Sequence, residues 1–243
     1  MKTVFACLML VVLASLAVAQ KTKPWTEWSK KDIEKTLSDS AWAQTQNEGD
    51  DSQASSSSTA ITQVGAQGTM DRDLKRPVES GETKPTKVVK YHVRFLSAKP
   101  IRAAFARMVM LAQAQPNEEL NTQLQGFVDR NFADYIVISV GVEVGDQQMA
   151  AGLMRAFTAA TTEALQKSVY LERKDGKKLF LMEYRAPTQD GMGAKFVFQR
   201  MVEGQPFLAQ DDSVRFVAQL NEKMKLNTKY KLADMLYDGK LEY

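Results

Sequence analysis

The chain has 243 residues, 25% of them charged and 44% hydrophobic, which suits one good-sized domain with additional segments. Its net charge of +3 is too small to indicate a nucleic-acid partner. With one cysteine and one histidine, it also lacks the ligands of a thiolate or histidine metal site.

The first 19 residues have the pattern of a cleaved signal peptide. Lys2 precedes an apolar stretch over residues 4–18, and residues 17–19 match the small-x-small motif cut by signal peptidase. The stretch is shorter than a typical membrane-spanning helix, and no later stretch is long and uncharged enough to span. Cleavage would remove Cys7, so we predict an exported, periplasmic or extracellular chain without disulfides.

Residues 20–46 predict a short, tryptophan-rich helix outside the main domain. Ser29 and Asp32 resemble a capping box, and Trp28 and Ile33 hold the two positions of a hydrophobic staple. A helix this short is marginal alone, so it should dock on its own domain or on a partner. We expect the partner, another envelope protein. The candidate contact residues are Trp25, Trp28, Ile33, Leu37 and Trp42.

Residues 47–86 are dominated by Ser, Gly, Lys and acidic residues, and large apolar side chains are sparse. Such a segment cannot bury enough surface to offset the conformational entropy lost on ordering. We therefore predict a flexible polar linker, followed by a compact domain over residues 87–243.

The compact domain is organised around residues 134–144, which place five β-branched side chains on one face of a strand that we expect to pack under helices. Further predicted strands cover 88–96, 168–174, 177–185, 194–201, 214–220 and 223–232, although residues 214–221 also fit a helix. Helices open at Pro100 and Asn117, and a long helix runs from Asp146 to Lys167. We predict an α+β fold: a mainly antiparallel sheet of about five to seven strands, two or three helices packed on one face, and a separate N-terminal helix.

The dipeptide Asp175-Gly176 lies between two of these strands and is a strong hairpin signal. A two-residue turn at this position would set Val169 opposite Met182 and Leu171 opposite Phe180.

The sequence offers no set of residues suited to catalysis. His92 alternates with Lys90 and Arg94 on a strand, which indicates a solvent-facing position without a paired acid and nucleophile. There is no glycine-rich phosphate loop, no GxSxG motif and no calcium-loop spacing. We therefore assign no catalytic, cofactor-binding or metal-binding residue.

A row of lysines lies at alternating positions near the end of the chain: Lys223, Lys225, Lys229 and Lys231. One interpretation is the solvated face of an outer strand, where lysines also discourage edge-to-edge pairing. The alternative is a patch for anions such as lipid headgroups or an acidic polymer.

Three stretches carry a family resemblance: KPWTEWSKKD, FLSAKPIR, and VRFVAQL with the final LADMLYDGKLEY. They resemble a family of exported bacterial proteins that has no established activity. The resemblance implies export and a two-part layout, and it carries over no catalytic or binding residue.

We expect an exported, non-enzymatic interaction or scaffolding protein. The alternative is a small-ligand or lipid-binding module of the cell envelope, with the ligand between helices and sheet near Phe105, Met108, Met154 and Phe157. An enzyme using carboxylates or tyrosine is a third hypothesis. A deep apolar pocket between sheet and helices would favour the ligand-binding module, whereas a filled core with an exposed aromatic patch would favour the interaction protein.

Overall fold

The computed structural model describes residues 23–48, 88–115, 117–222 and 224–243. The predicted signal peptide, nearly all of the predicted linker, Pro116 and Lys223 lie outside these ranges. The helices are α1 (Lys30–Ser38), α2 (Lys99–Ala112), α3 (Glu118–Val128), α4 (Gln147–Ala159) and α5 (Thr162–Leu165), with single 3-10 turns at Trp25–Glu27 and Leu232–Asp234. The strands are β1 (Ala43–Glu48), β2 (Val89–Phe95), β3 (Tyr135–Val144), β4 (Val169–Arg173), β5 (Lys178–Phe180), β6 (Glu183–Arg185), β7 (Ala194–Gln199), β8 (Met201–Val202), β9 (Gln205–Pro206), β10 (Ser213–Gln219), β11 (Lys225–Lys231), β12 (Leu236–Tyr237) and β13 (Lys240–Leu241).

The strands form two main antiparallel sheets. The first has five strands in the order β1-β2-β3-β7-β6, and the second has four in the order β11-β10-β4-β5. Two short hairpins, β8-β9 and β12-β13, complete the described strands. The predicted α+β class and antiparallel pairing are confirmed, and β3 is the middle strand of the first sheet, as predicted.

The two faces of β3 have different partners. Ile136, Ile138 and Val140 join a core that includes Phe216 of the second sheet, whereas Val137 on the opposite face packs in a cluster with α1 and α2. The β-branched face also meets Phe157 of α4, so the prediction that it packs under helices is correct only in part, and the second sheet covers the rest. A two-residue period shows which side chains share a face, but it does not identify the layer that covers that face.

The predicted helix starts are confirmed, but one helix ends early. The Oδ1 of Asn117 accepts a hydrogen bond from the Leu120 N–H at 2.9 Å, and the Asp146 side chain caps α4 in the same way. The predicted helix to Lys167 stops at Ala159, and α5 begins only after Thr161. The Thr161 hydroxyl accepts from the Ala164 N–H at 3.3 Å, so this residue starts a new turn instead of continuing the old one.

The hairpin after β4 has a register one residue away from the prediction. Tyr170 pairs with Phe180 and Leu171 with Leu179, so the predicted pairing of Leu171 with Phe180 is wrong. The loop closes through the Arg173 N–H and the Lys177 carbonyl at 2.9 Å, and Gly176 adopts a φ of 81°. This is a three-residue connection with glycine in the left-handed region, and it turns Phe180 outward.

The N-terminal segment belongs to the same packed unit as the rest of the described chain. The capping box is present, with the Ser29 N–H donating to Asp32 Oδ2 at 2.8 Å. Strand β1 pairs with β2 through Glu48, so the first two residues assigned to the linker are the end of a strand. The Gln46 side chain then bonds the Lys225 carbonyl at 2.7 Å and the Asn227 N–H at 2.8 Å, which links β1 to the second sheet.

Candidate functional site

The apolar stripe of the N-terminal helix is covered by the protein's own α2. Trp25, Ile33 and Leu37 are buried, whereas Trp28 and Trp42 are half-buried. The small side chains Ala103, Ala104 and Ala106 of α2 lie in the same clusters and let the helix approach closely. Within the described chain this stripe is therefore covered by the protein's own helix, and a contact with another protein stays a prediction.

The half-buried tryptophans are also fixed by hydrogen bonds within the chain. The indole N–H of Trp28 donates to the Lys23 carbonyl at 3.0 Å, and that of Trp42 donates to the Glu242 carbonyl at 2.8 Å. The second bond ties the N-terminal segment to the last residues of the sequence. Both indoles thus satisfy their only donor inside the protein.

The lysine row lies on the outer face of β11. Lys225, Lys229 and Lys231 are exposed, and the alternating Met224, Leu226, Thr228, Tyr230 and Leu232 are buried as predicted. Lys229 borders an open depression that also holds Glu172 and Arg215, whose carboxylate and guanidinium lie 3.6 Å apart. The arrangement favours the solvated face of an outer strand, and the anion patch stays a prediction.

The residues proposed for a ligand between helices and sheet do not form one surface. Phe105 and Phe157 are buried in different core clusters. Met108 and Met154 are exposed on α2 and α4. Met154 and Phe157 both line a cavity of about 260 Å³ between α4 and β3, but Phe105 and Met108 do not. A second cavity, beside α3, has a different lining.

A groove of about 370 Å³ lies where the helices leave part of the first sheet uncovered. Its floor includes Val137 of β3 and Val197 of β7, and Phe127 of α3 forms part of its wall. The other apolar lining residues are Leu96, Phe132, Tyr135, Met182 and Met192. Helix α1 packs over β1 and β2, and the groove lies over the neighbouring part of the same sheet face. Val137 and Val197 are buried at its floor, whereas Tyr135 and Met182 are exposed.

The charged residues around the groove are Arg130, Glu183, Arg185, Asp190 and Lys195. Glu183 pairs with Arg185 at 2.8 Å, and Asp190 pairs with Lys195 at 2.7 Å. The hydrogen bond from Arg185 holds the pKa of Glu183 below its usual value. Burial opposes a similar shift at Asp190, but bonds from Lys195 and the Met192 N–H still lower its pKa.

Arg130 gives the groove its net charge. It is an exposed lining residue of the groove, and it forms no ion pair with any residue in the described part of the chain. Because both acids of the groove are ionised and each has a cation beside it, Arg130 leaves the site with one net positive charge.

Thr45, His92 and Glu143 form a hydrogen-bonded series at the other end of the first sheet. The Thr45 hydroxyl lies 2.9 Å from His92 Nδ1, and Glu143 lies 3.2 Å from Nε2. The hydroxyl also donates to the Ser38 carbonyl at 2.9 Å, so its proton is engaged and is not directed at the imidazole. The series holds β1, β2 and β3 together and lacks the proton path of a nucleophile and base.

The prediction that His92 faces solvent is wrong. Its side chain is 13% exposed, and burial lowers its pKa below the usual value. A β-strand period could not reveal this, because α1 packs over the polar face of β2.

Two further properties concern the described ranges only. They contain no group of three or more His, Cys, Asp or Glu residues placed to hold a metal ion. Among their helices, none combines the length and the apolar composition needed to cross a membrane.

Fold and site together define an α+β protein of two antiparallel sheets with an open apolar groove beside the helices. Comparison with protein-family models, with curated proteins and with solved structures finds no match to this chain. The resemblance to exported bacterial proteins thus stays a prediction, and the residues of the groove carry the functional argument.

Sequence reasoning did not find the groove because its lining comes from separate parts of the chain. Phe127 and Phe132 follow α2, Tyr135 and Val137 lie in β3, and Met182 precedes β6. The sequence contains one signal of the groove, which is the half-apolar second face of β3. Tyr135 and Val137 lie on this face, opposite to Ile136 and Ile138.

Proposed function

We propose that this protein is a non-enzymatic binding module for a small amphipathic anion, an apolar body such as an acyl chain that carries one acidic group. The groove between the helices and the first sheet is its site. The observation that carries the proposal is a largely apolar groove whose lining residues sum to one net positive charge. With the export predicted from residues 1–19, the module would act in the envelope or outside the cell.

The apolar part of the groove favours a ligand with an extended hydrocarbon surface. Tyr135 is 43% exposed and Met182 is 44% exposed, and both line this groove. Covering such surface stabilises a complex by roughly 25 cal/mol per Å² of apolar area removed from water. The volume of about 370 Å³ lies in the range of small-molecule sites.

The charged part of the groove favours an acid over an amine. Glu183 and Asp190 already have cationic partners, whereas the Arg130 guanidinium has none within the described residues. A guanidinium offers two parallel N–H donors, which match the two oxygens of a carboxylate. A ligand acid at this position would neutralise the net charge of the groove.

The interaction or scaffolding hypothesis loses its main support. That hypothesis was based on an aromatic helix available to a partner. In the structure this helix packs on α2, and Ile33 and Leu37 are buried. The arrangement therefore supports the ligand-binding alternative.

We expect the fluorescent acid 11-(dansylamino)undecanoic acid to bind saturably, with increased emission. Met182→Glu places a carboxylate in the groove and should weaken binding by about tenfold or more, a loss of about 1.4 kcal/mol. Met108→Glu is the matched control, since Met108 is 41% exposed on α2 and does not line the groove. Equal affinity in the two variants would contradict the proposal.

The same titration tests the charge. The methyl ester of the probe lacks the acid and should bind more weakly than the acid. In Arg130→Gln the difference between acid and ester should shrink, because the unpaired cation is gone. If the difference in affinity between acid and ester is unchanged in Arg130→Gln, a residue other than Arg130 binds the acidic group.

A further inference from the structure

Arg94 of β2 is a buried cation. Only 8% of the residue is exposed, and its Nε donates to the Leu37 carbonyl at 2.6 Å. Its guanidinium carbon lies 5.5 Å from the centre of the Phe105 ring. Burial lowers the pKa of Arg94 to about 10, so the group is charged at neutral pH and needs compensating partners.

The terminal nitrogens of Arg94 contrast with those of Arg102, the other buried arginine among the described residues. Arg102 Nη2 donates to the carbonyls of Val128 at 2.9 Å and Arg130 at 3.0 Å, and its Nη1 donates to the Ser97 carbonyl. Arg173 likewise uses both terminal nitrogens. Within the described residues, neither Nη of Arg94 donates to a protein acceptor, and no carboxylate forms an ion pair with it.

The free end of the Arg94 guanidinium reaches a cavity of about 260 Å³ at the point where β7 leaves β3. Nη1 lies only 3.0 Å from where a Cβ at Gly141 would be, so this glycine makes room for it. Gly193 also lines the cavity with a φ of 85°, and a Cβ there would collide with the Val140 carbonyl. At these two glycines the cavity wall is bare backbone next to a cation, and side chains that include His92, Met154 and Thr188 form other parts of the wall.

Ser139, the neighbour of Arg94 on β3, has a side chain without a hydrogen-bond partner among the described residues. Ser139 is the register partner of Arg94, and it is fully buried. Buried polar groups in native proteins are usually bonded. Ser139 does not line the cavity, so only the free Nη donors of Arg94 are placed to meet an external acceptor there.

We propose that the cavity beside Gly141 is a second site, separate from the groove, in which the guanidinium of Arg94 binds a small oxyanion. A phosphate or carboxylate oxygen pair matches the two Nη donors of a guanidinium. The competing explanation is purely structural: Arg94 would hold the end of α1 through Leu37 and pack on Phe105 without binding any anion.

The test is an NMR titration of the intact protein with sodium phosphate and with sodium acetate, with sodium chloride at matched ionic strength as the blank. Saturable shifts are expected at the Gly141 and Gly193 amides and at the Arg94 Nε–H signal. Stronger binding of phosphate than acetate would identify a phosphoryl group as the ligand chemistry, and the reverse order would identify a carboxylate.

The deciding variant leaves Arg94 in place. Met154 lines this cavity and is 45% exposed, so Met154→Glu can supply an internal carboxylate without disturbing the core. It should weaken phosphate or acetate binding by about tenfold. Met108→Glu, an exposed methionine away from the cavity, should not change it.

Shifts that rise linearly without saturation, that chloride reproduces, or that persist in Met154→Glu would overturn the anion site and leave the structural role of Arg94. Binding of the dansylated acid in the groove should be unchanged by phosphate and by Met154→Glu. The two proposals can therefore fail independently.

Discussion

Val140→Asp is expected to unfold the protein. Val140 is 1% exposed in the middle of β3, between Val93 of β2 and Ala194 of β7, and it belongs to the core shared by the two sheets. An aspartate there would bury a carboxylate without a partner and should cost several kcal/mol, against a total stability of about 5–15 kcal/mol for a typical domain. Thermal unfolding followed by far-UV circular dichroism measures the loss.

The matched control is Val202→Asp, the same change at a valine that is 38% exposed in β8. It should melt within a few degrees of the wild type, since exposed substitutions usually change stability by about 0.5 kcal/mol or less. A Val140→Asp protein that melts like this control would mean that β3 is not the central buried strand.

Leu37→Asp is expected to release the N-terminal helix from α2. Leu37 is buried with Ile33 and Phe105, so an aspartate at this position would remove an apolar contact and bury a charge. The protein's three tryptophans, Trp25, Trp28 and Trp42, all lie in this segment. Acrylamide quenching of tryptophan fluorescence therefore reports on this segment alone.

We expect weak quenching in the purified wild type and strong quenching in Leu37→Asp. Leu111→Asp is the control, because Leu111 is 39% exposed on α2 and the same change there should leave quenching low. Strong quenching of the wild type, followed by protection when envelope extract is added, would instead restore the partner hypothesis.

Local sequence patterns were sufficient to predict most individual elements. The caps at Ser29, Asn117 and Asp146 were visible because a capping side chain acts on an N–H three residues later. The alternation in β11 was visible because neighbouring strand residues point to opposite faces. Such signals involve residues close in sequence, so they need no knowledge of the tertiary structure.

Features that depend on distant residues were not predictable in this way. The polar side of β2 looked solvent-facing, yet Arg94 is buried because α1 packs over it. The sequence indicated that the apolar stripe with Leu37 was available to a partner. In the structure this stripe packs against α2 at Ala104. In the hairpin, the choice between a two- and a three-residue loop at Gly176 changed the register by one residue and turned Phe180 outward.

The most direct test of the proposed function is the position of an apolar acid on the protein. A spin-labelled fatty acid, 16-doxylstearate, would be added to protein with labelled valine, leucine, isoleucine and methionine methyl groups. The account predicts strong paramagnetic broadening of the methyl signals of Val137, Val197 and Met182 in the groove, with Ile33 and Leu37 little affected. Broadening centred on the outer face of α2, at Met108 and Leu111, would contradict it.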